Sequence, residues 1–134
     1  MLRPLFPRFL AALAILSTVL RAAEPPPIKV GEFASLTGKE AAFGQSSHKG
    51  TLLAVEEINA AGGVNGRKLQ LFIRDDNATP GDAVRAAEEL LTREQVDVLS
   101  GTFLSHVGLA VADLARQRKM FFLAGEPLTD KIVW

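Results

Sequence analysis

From residue 28 onward the sequence alternates between short β-branched or aromatic runs and longer stretches of helical periodicity. That alternation limits the possible folds more than any other feature. Strands are expected at Ile28–Ala34, Leu69–Ile73, Val96–Leu99 and Met120–Ala124. Helices are expected over Phe43–Ala61, Pro80–Arg93 and His106–Arg118. Successive strands with a helix in every connection pair in parallel, because the long crossover returns the chain to the same end of the sheet. The fold class read from this order is α/β: a three-layer parallel sheet with helices on both faces. The strands look apolar on both sides, as buried parallel strands should.

The punctuation agrees. Gly62-Gly63 ends the first helix and Asn65-Gly66 makes a tight turn before the second strand. Thr79 reads as an N-cap, with Pro80 at the first helical position and Asp82 in the first turn. Ser105 reads as the N-cap of the third helix. No internal repeat or low-complexity tract interrupts the pattern.

Ahead of this region, Arg3 and Arg8 precede an uncharged apolar run, Phe9–Leu20. Twelve residues are too few for a membrane-spanning helix, which needs about 20, but suit the core of an export signal. Residues 1–23 are therefore expected to be a signal peptide cleaved after Ala22 or Ala23; an uncleaved anchor is the other reading. Residues 24–27, with Pro25-Pro26-Pro27, form a stiff linker. Residues 28–134 hold no second apolar run of spanning length, so no stable membrane span is expected after cleavage.

Composition removes several function classes. Fifteen basic residues balance 15 acidic ones, so nothing marks a nucleic-acid or anionic-lipid partner. Zero cysteines exclude disulfides, thiolate zinc sites and cysteine nucleophiles. Asp75-Asp76-Asn77 lacks the spaced ligands of a calcium loop and reads as a strand-end turn. The Gly-rich run at 62–66 follows a helix, so it is neither a dinucleotide fingerprint nor a phosphate loop. Ser46, Ser47 and His48 are consecutive on a helix and point in different directions, forming no triad. The reading is a non-enzyme with no cofactor and no metal.

In an open α/β sheet, ligands bind beyond the carboxyl ends of the strands, at a topological switch point. Four loops qualify: 35–44, 75–79, 101–106 and 124–129. The loop ending in Ser105 and His106 is the strongest candidate, because a helix N-terminus offers free N–H groups to an anion.

The ordered set Ile28-Lys29-Val30-Gly31, Leu36-Thr37-Gly38, Ala42-Phe43-Gly44 and the string from Ala54 to Gly66 (AVEEINAAGGVNG) resembles one family. It is that of the type I periplasmic binding proteins of ABC importers, the leucine/isoleucine/valine-binding group. Asp75-Asp76, the helix carrying Ala83, Ala87, Leu90 and Leu91, and the 101–105 loop extend the match over 28–134. The resemblance implies a two-lobed protein that closes on an amino acid or similar small molecule and hands it to ABC permease subunits in the periplasm. Residues 28–134 would be its first lobe, incomplete, and the chain a fragment or truncated product. A periplasmic sensor on the same fold is the alternative.

Carried over residue by residue, the resemblance puts Phe43 against the ligand. Ser105 would hold a carboxylate through its hydroxyl and N–H, with His106 beside it. Ala124, Gly125 and Glu126 match the segment that serves a ligand ammonium. The sequence departs from the pattern there: Gly125-Glu126-Pro127 stands where many amino-acid binders carry Thr or Ser, which leaves the ligand class open.

Overall fold

A computed structural model describes residues 24–133. The expected export signal, residues 1–23, lies outside the described residues. Strand β1 runs Ile28–Ala34, followed by a 3-10 turn at Gly38–Glu40 and helix α1 at Ala41–Ala60. Strand β2 is Leu69–Asp75, and helix α2 is Pro80–Glu89, continued by a π-helical turn at Leu90–Glu94. Strand β3 is Val98–Gly101, helix α3 is Ser105–Arg118, β4 is Phe122–Ala124, and a last 3-10 turn spans Asp130–Val133.

The four described strands pair in parallel, in the order β2-β1-β3-β4. The α/β class expected from the alternation is therefore the class observed. The chain moves outward from β1 to β2, then crosses back over β1 to β3 and continues to β4. With right-handed crossovers, reversing the direction of travel puts α1 on one face and α2 and α3 on the other. Side-chain parity agrees: Phe33 packs among residues of α2 and α3, while its neighbour Glu32 meets His48 and Thr51 of α1.

The core lies between the sheet and the α2–α3 pair. Phe33, Leu90, Leu99, Val107 and Val111 are fully buried there, and Ala83 and Ala87 let α2 approach closely. Burying side chains of this size stabilises the fold by about 2 kcal/mol each. Phe33 and Phe122 add a tilted ring contact, 5.6 Å between centroids.

Local rules explain most boundaries. Thr79 caps α2, its Oγ1 accepting from the Asp82 N–H at 3.3 Å, with Pro80 at the first helical position as expected. Past α1 the chain turns through Gly62 and Gly63 at positive φ, and the Gly63 N–H returns to Ile58 O at 2.8 Å. Asn65 and Gly66, both left-handed, form the expected tight turn.

Three expectations change. The second helix does not run regularly to Arg93: the π turn closes on Leu90 O, which receives the N–H groups of Gln95 and Val96, and Gln95 turns left-handed. Pairing in β3 consequently starts at Val98 rather than Val96. Ser105 is not the N-cap of α3; Leu104 occupies that position and Ser105 is the first helical residue. The strands are also not apolar on both faces. The face toward α1 carries Glu32 and Ser100 in register, flanked by Ile73 and Leu123.

Candidate functional site

The switch point lies between β1 and β3, whose following loops leave toward opposite faces of the sheet. A buried carboxylate ties these loops together. Asp76, fully buried at the end of β2, accepts from Ser35 Oγ (2.7 Å), Thr102 Oγ1 (2.6 Å) and the Ala78 N–H (2.8 Å). One side chain thus fixes the loops after β1, β2 and β3, and three donors offset the cost of burying its charge. Its neighbour Asp75 accepts from Thr37 Oγ1 at 2.6 Å and from the N–H groups of Leu36 and Asn77. Burial works to raise the Asp75 pKa, but these hydrogen bonds outweigh it and hold the carboxyl below its ordinary value. Asp75 closes β2 and a turn follows at 77–78, and no group of three His, Asp or Glu able to hold a metal occurs among the described residues.

Two adjoining cavities open over this rigid frame. The larger, about 660 Å³, lies between the start of α1 (Ala42, Phe43, Ser46, Ser47), Phe103 after β3, and Gly125, Glu126 and Leu128 after β4. Phe43 and Phe103 stack with centroids 4.5 Å apart and planes within 3°. Gly44 makes the approach of α1 possible, since a Cβ there would lie 2.1 Å from Ser35 O. The smaller cavity, about 270 Å³, shares Ser47, Gly125 and Glu126 with the first and reaches the sheet at Glu32, Ser100, Gly101 and Thr102, with Thr51 of α1 beside them. Glu32 is only 2% exposed; its Oε2 meets His48 Nδ1 at 2.7 Å and its Oε1 accepts from Thr51 Oγ1 at 3.0 Å.

The residues expected at a site separate into two groups. Phe43, Gly125 and Glu126 line the larger cavity, and the latter two also line the smaller. Ala124 stands just behind them, pairing with Gly101 at the end of β4. Ser105 and His106 line neither cavity. Ser105 Oγ accepts from the Leu128 N–H at 3.0 Å, and His106 is exposed. Sequence reasoning missed Phe103, Glu32 and Thr51. It gave His48 no role, yet His48 sits on Glu32. The one available signal was a Glu inside a strand otherwise built for burial.

A family profile described as periplasmic binding protein matches residues 27–133. The chain belongs to the periplasmic binding protein family. Among its relatives, a Leu/Ile/Val-binding protein homolog 2 from Brucella abortus is 32% identical over 111 residues, covering 80% of this chain and 30% of the relative. An amino acid binding protein from Pseudomonas aeruginosa is 35% identical over 106 residues, covering 78% and 28%. Among solved structures, the branched-chain amino acid transporter substrate binding protein LivJ of Streptococcus pneumoniae, in complex with isoleucine, superposes with a TM-score of 0.75. It is 28% identical, with 79% of this chain and 30% of that chain covered. A solute binding protein from Rhodopseudomonas palustris, in complex with 3,4-dihydroxy benzoic acid, gives 0.72 at 29% identity, covering 80% and 29%. Each of these relatives carries the name of a binding protein, and the chain spans about 30% of their length.

Proposed function

We propose that this chain is the first-lobe, ligand-facing part of an extracytoplasmic solute-binding component of an ABC importer. Residues 1–23 export it to the periplasm, residues 24–27 act as a spacer, and residues 28–134 supply one wall of a two-lobe cleft. The cleft captures an amino acid or similar small molecule and presents it to permease subunits. The observation that carries this reading is the pair of cavities at the switch point, the larger lined by Phe43 and Phe103, over loops held on the Asp76 tie. The relatives' bound solutes, isoleucine in one and an aromatic acid in another, support it.

One lobe supplies only part of the contacts that closure would make. The 134-residue chain alone is expected to bind amino acids weakly, and the same residues joined to the remaining part of a relative tightly. Calorimetry on both, with a panel of amino acids and aromatic acids, tests this. Micromolar affinity in the short chain would overturn the need for a second lobe; no binding by the joined protein would overturn solute capture.

A further inference from the structure

Asparagine amides are the chemically labile groups of a cysteine-free chain, and the three here, Asn59, Asn65 and Asn77, stand in different surroundings. Asn59 is engaged at both ends of its amide: Nδ2 donates to Leu69 O at 2.9 Å and Oδ1 accepts from the Leu69 N–H at 2.7 Å. Asn77 Oδ1 accepts from Thr37 Oγ1 at 3.1 Å, and its Nδ2 donates to Asp82 at 3.3 Å. Asn65 is exposed, and its amide makes no hydrogen bond among the described residues. Alanines follow Asn59 and Asn77, whereas Gly66 follows Asn65. With no Cβ, Gly66 leaves its backbone nitrogen open to approach. The turn is closed by the Val64 N–H to Arg67 O (2.8 Å) and the Arg67 N–H to Val64 O (3.0 Å), and neither bond uses that nitrogen. Arg67 and Lys68 come next and no acidic residue stands from 58 to 70, so the local charge favours an anionic nitrogen.

We propose that Asn65 is a self-modification site, at which the side-chain amide is lost through attack by the Gly66 nitrogen. That nitrogen, its proton taken by solvent base, bonds to Asn65 Cγ; the Cγ–Nδ2 bond breaks, and Nδ2 takes up a proton and leaves as ammonia. Water then opens the succinimide. Opening at Cγ leaves an aspartate in the original chain, and opening at the main-chain carbonyl leaves an isoaspartate, whose backbone runs through the side chain. The turn governs the rate. Asn65 and Gly66 are both left-handed, which puts the Gly66 nitrogen nearly opposite the Asn65 side chain across the Cα–C bond, so the ring closes only when the turn opens. Gly63 protects the closed turn, since a Cβ there would lie 2.1 Å from Arg67 O. Both products place a carboxylate beside Arg67 and Lys68, and isoaspartate also lengthens the main chain. The Arg67 guanidinium holds Pro26 O (2.8 Å) and Pro27 O (3.2 Å), and the Ile28 N–H reaches Lys68 O (2.8 Å). Modification therefore loosens the start of β1, at the end of the sheet away from the two cavities.

The test ages the 134-residue chain in mildly alkaline buffer and digests it with trypsin, which puts Asn59 and Asn65 in one peptide, 50–67, and Asn77 in another. Tandem mass spectrometry is expected to show Asn65 converting at least tenfold faster than Asn59 or Asn77, to a mixture of aspartate and isoaspartate. Gly63→Ala, which forces Arg67 O away, should speed the conversion at least threefold, and Gly66→Ala should slow it at least tenfold. Hydrogen exchange in the aged chain should rise at Ile28, Val64 and Arg67 and stay unchanged at 102–104. Conversion at Asn59 or Asn77 as fast as at Asn65 would overturn the site. So would an Asn65 still wholly amide when a peptide of residues 61–69 has fully converted. An unchanged rate in Gly63→Ala would overturn control by the turn, and unchanged exchange at Ile28 would overturn the link to β1. If circular dichroism shows Gly63→Ala unfolded, the folded chain is compared with the 61–69 peptide: slower conversion in the chain supports control by the turn, and equal rates overturn it.

Discussion

One face of the sheet meets α2 and α3 through Phe33, Leu99, Leu90, Val107 and Val111, all fully buried and all apolar. The other meets α1, which is packed against β1 and β2, through a row that reads Ile73, Glu32, Ser100, Leu123 across the four strands. Burial alone does not separate the two, since Glu32 is as inaccessible as much of the core. What differs is how the buried groups are satisfied. The core face depends on close packing, in which any lost volume is felt. The α1 face depends on hydrogen bonds and stays partly open at the two cavities. A face of the second kind suits recognition, and a face of the first kind gives it a rigid backing.

The largest expected effect breaks the backing. Leu90 is fully buried where α2 passes into the π turn, beside Gly31 and Val96. Leu90→Ala should cost about 3–4 kcal/mol, from lost burial plus the cavity left behind. Urea unfolding of the 134-residue chain checks this. A cost below about 1 kcal/mol would mean that the π turn collapses into the space and the core face is softer than its packing implies.

Next is the tie between the faces. Asp76→Ala removes the acceptor of Ser35 Oγ, Thr102 Oγ1 and the Ala78 N–H at once. The stranded donors should destabilise the chain by about 2–3 kcal/mol, less than their gross sum because a buried charge leaves with them. The same variant should also loosen both cavities, since the loops after β1 and β3 lose their common anchor. Hydrogen exchange at residues 35–37 and 102–104 reads that loosening; unchanged protection there would show that backbone pairing alone positions the loops.

The alternation of strand and helix carried the fold, because parallel topology follows from connection length and periodicity. Local chemistry carried Thr79, Gly62-Gly63 and Asn65-Gly66, each of which acts within five residues of itself. Of the candidate site, Phe43, Gly125 and Glu126 were legible through the family motif. Glu32 was not, because its partners lie 16 and 19 residues away on α1 and no spacing rule links a strand to a helix at that distance. Phe103 escaped notice because its stacking partner, Phe43, is brought alongside only by the switch in strand order. Ser105 followed a sound capping rule and still missed: a contact 23 residues away, the Leu128 N–H, engages its hydroxyl instead. The π turn at Leu90–Glu94 has no comparable sequence mark and shifted the start of β3 by two residues.

The smallest expected effect sharpens the comparison at the outer edge. Leu123 lies in the Glu32 row but beyond the reach of α1, and is 55% exposed on β4. Its side chain already contacts water, so Leu123→Ser removes little burial and should change stability by no more than about 0.5 kcal/mol. Leu99, one residue earlier in β3 register and on the opposite face, is fully buried, so the same loss of apolar volume there would be felt in full. Urea denaturation at two protein concentrations separates the possibilities. A cost near zero at both confirms an open edge on the α1 face. A cost above 1 kcal/mol that grows with concentration would show a second copy covering Leu123, and the α1 face would then count as a packed surface across its whole width.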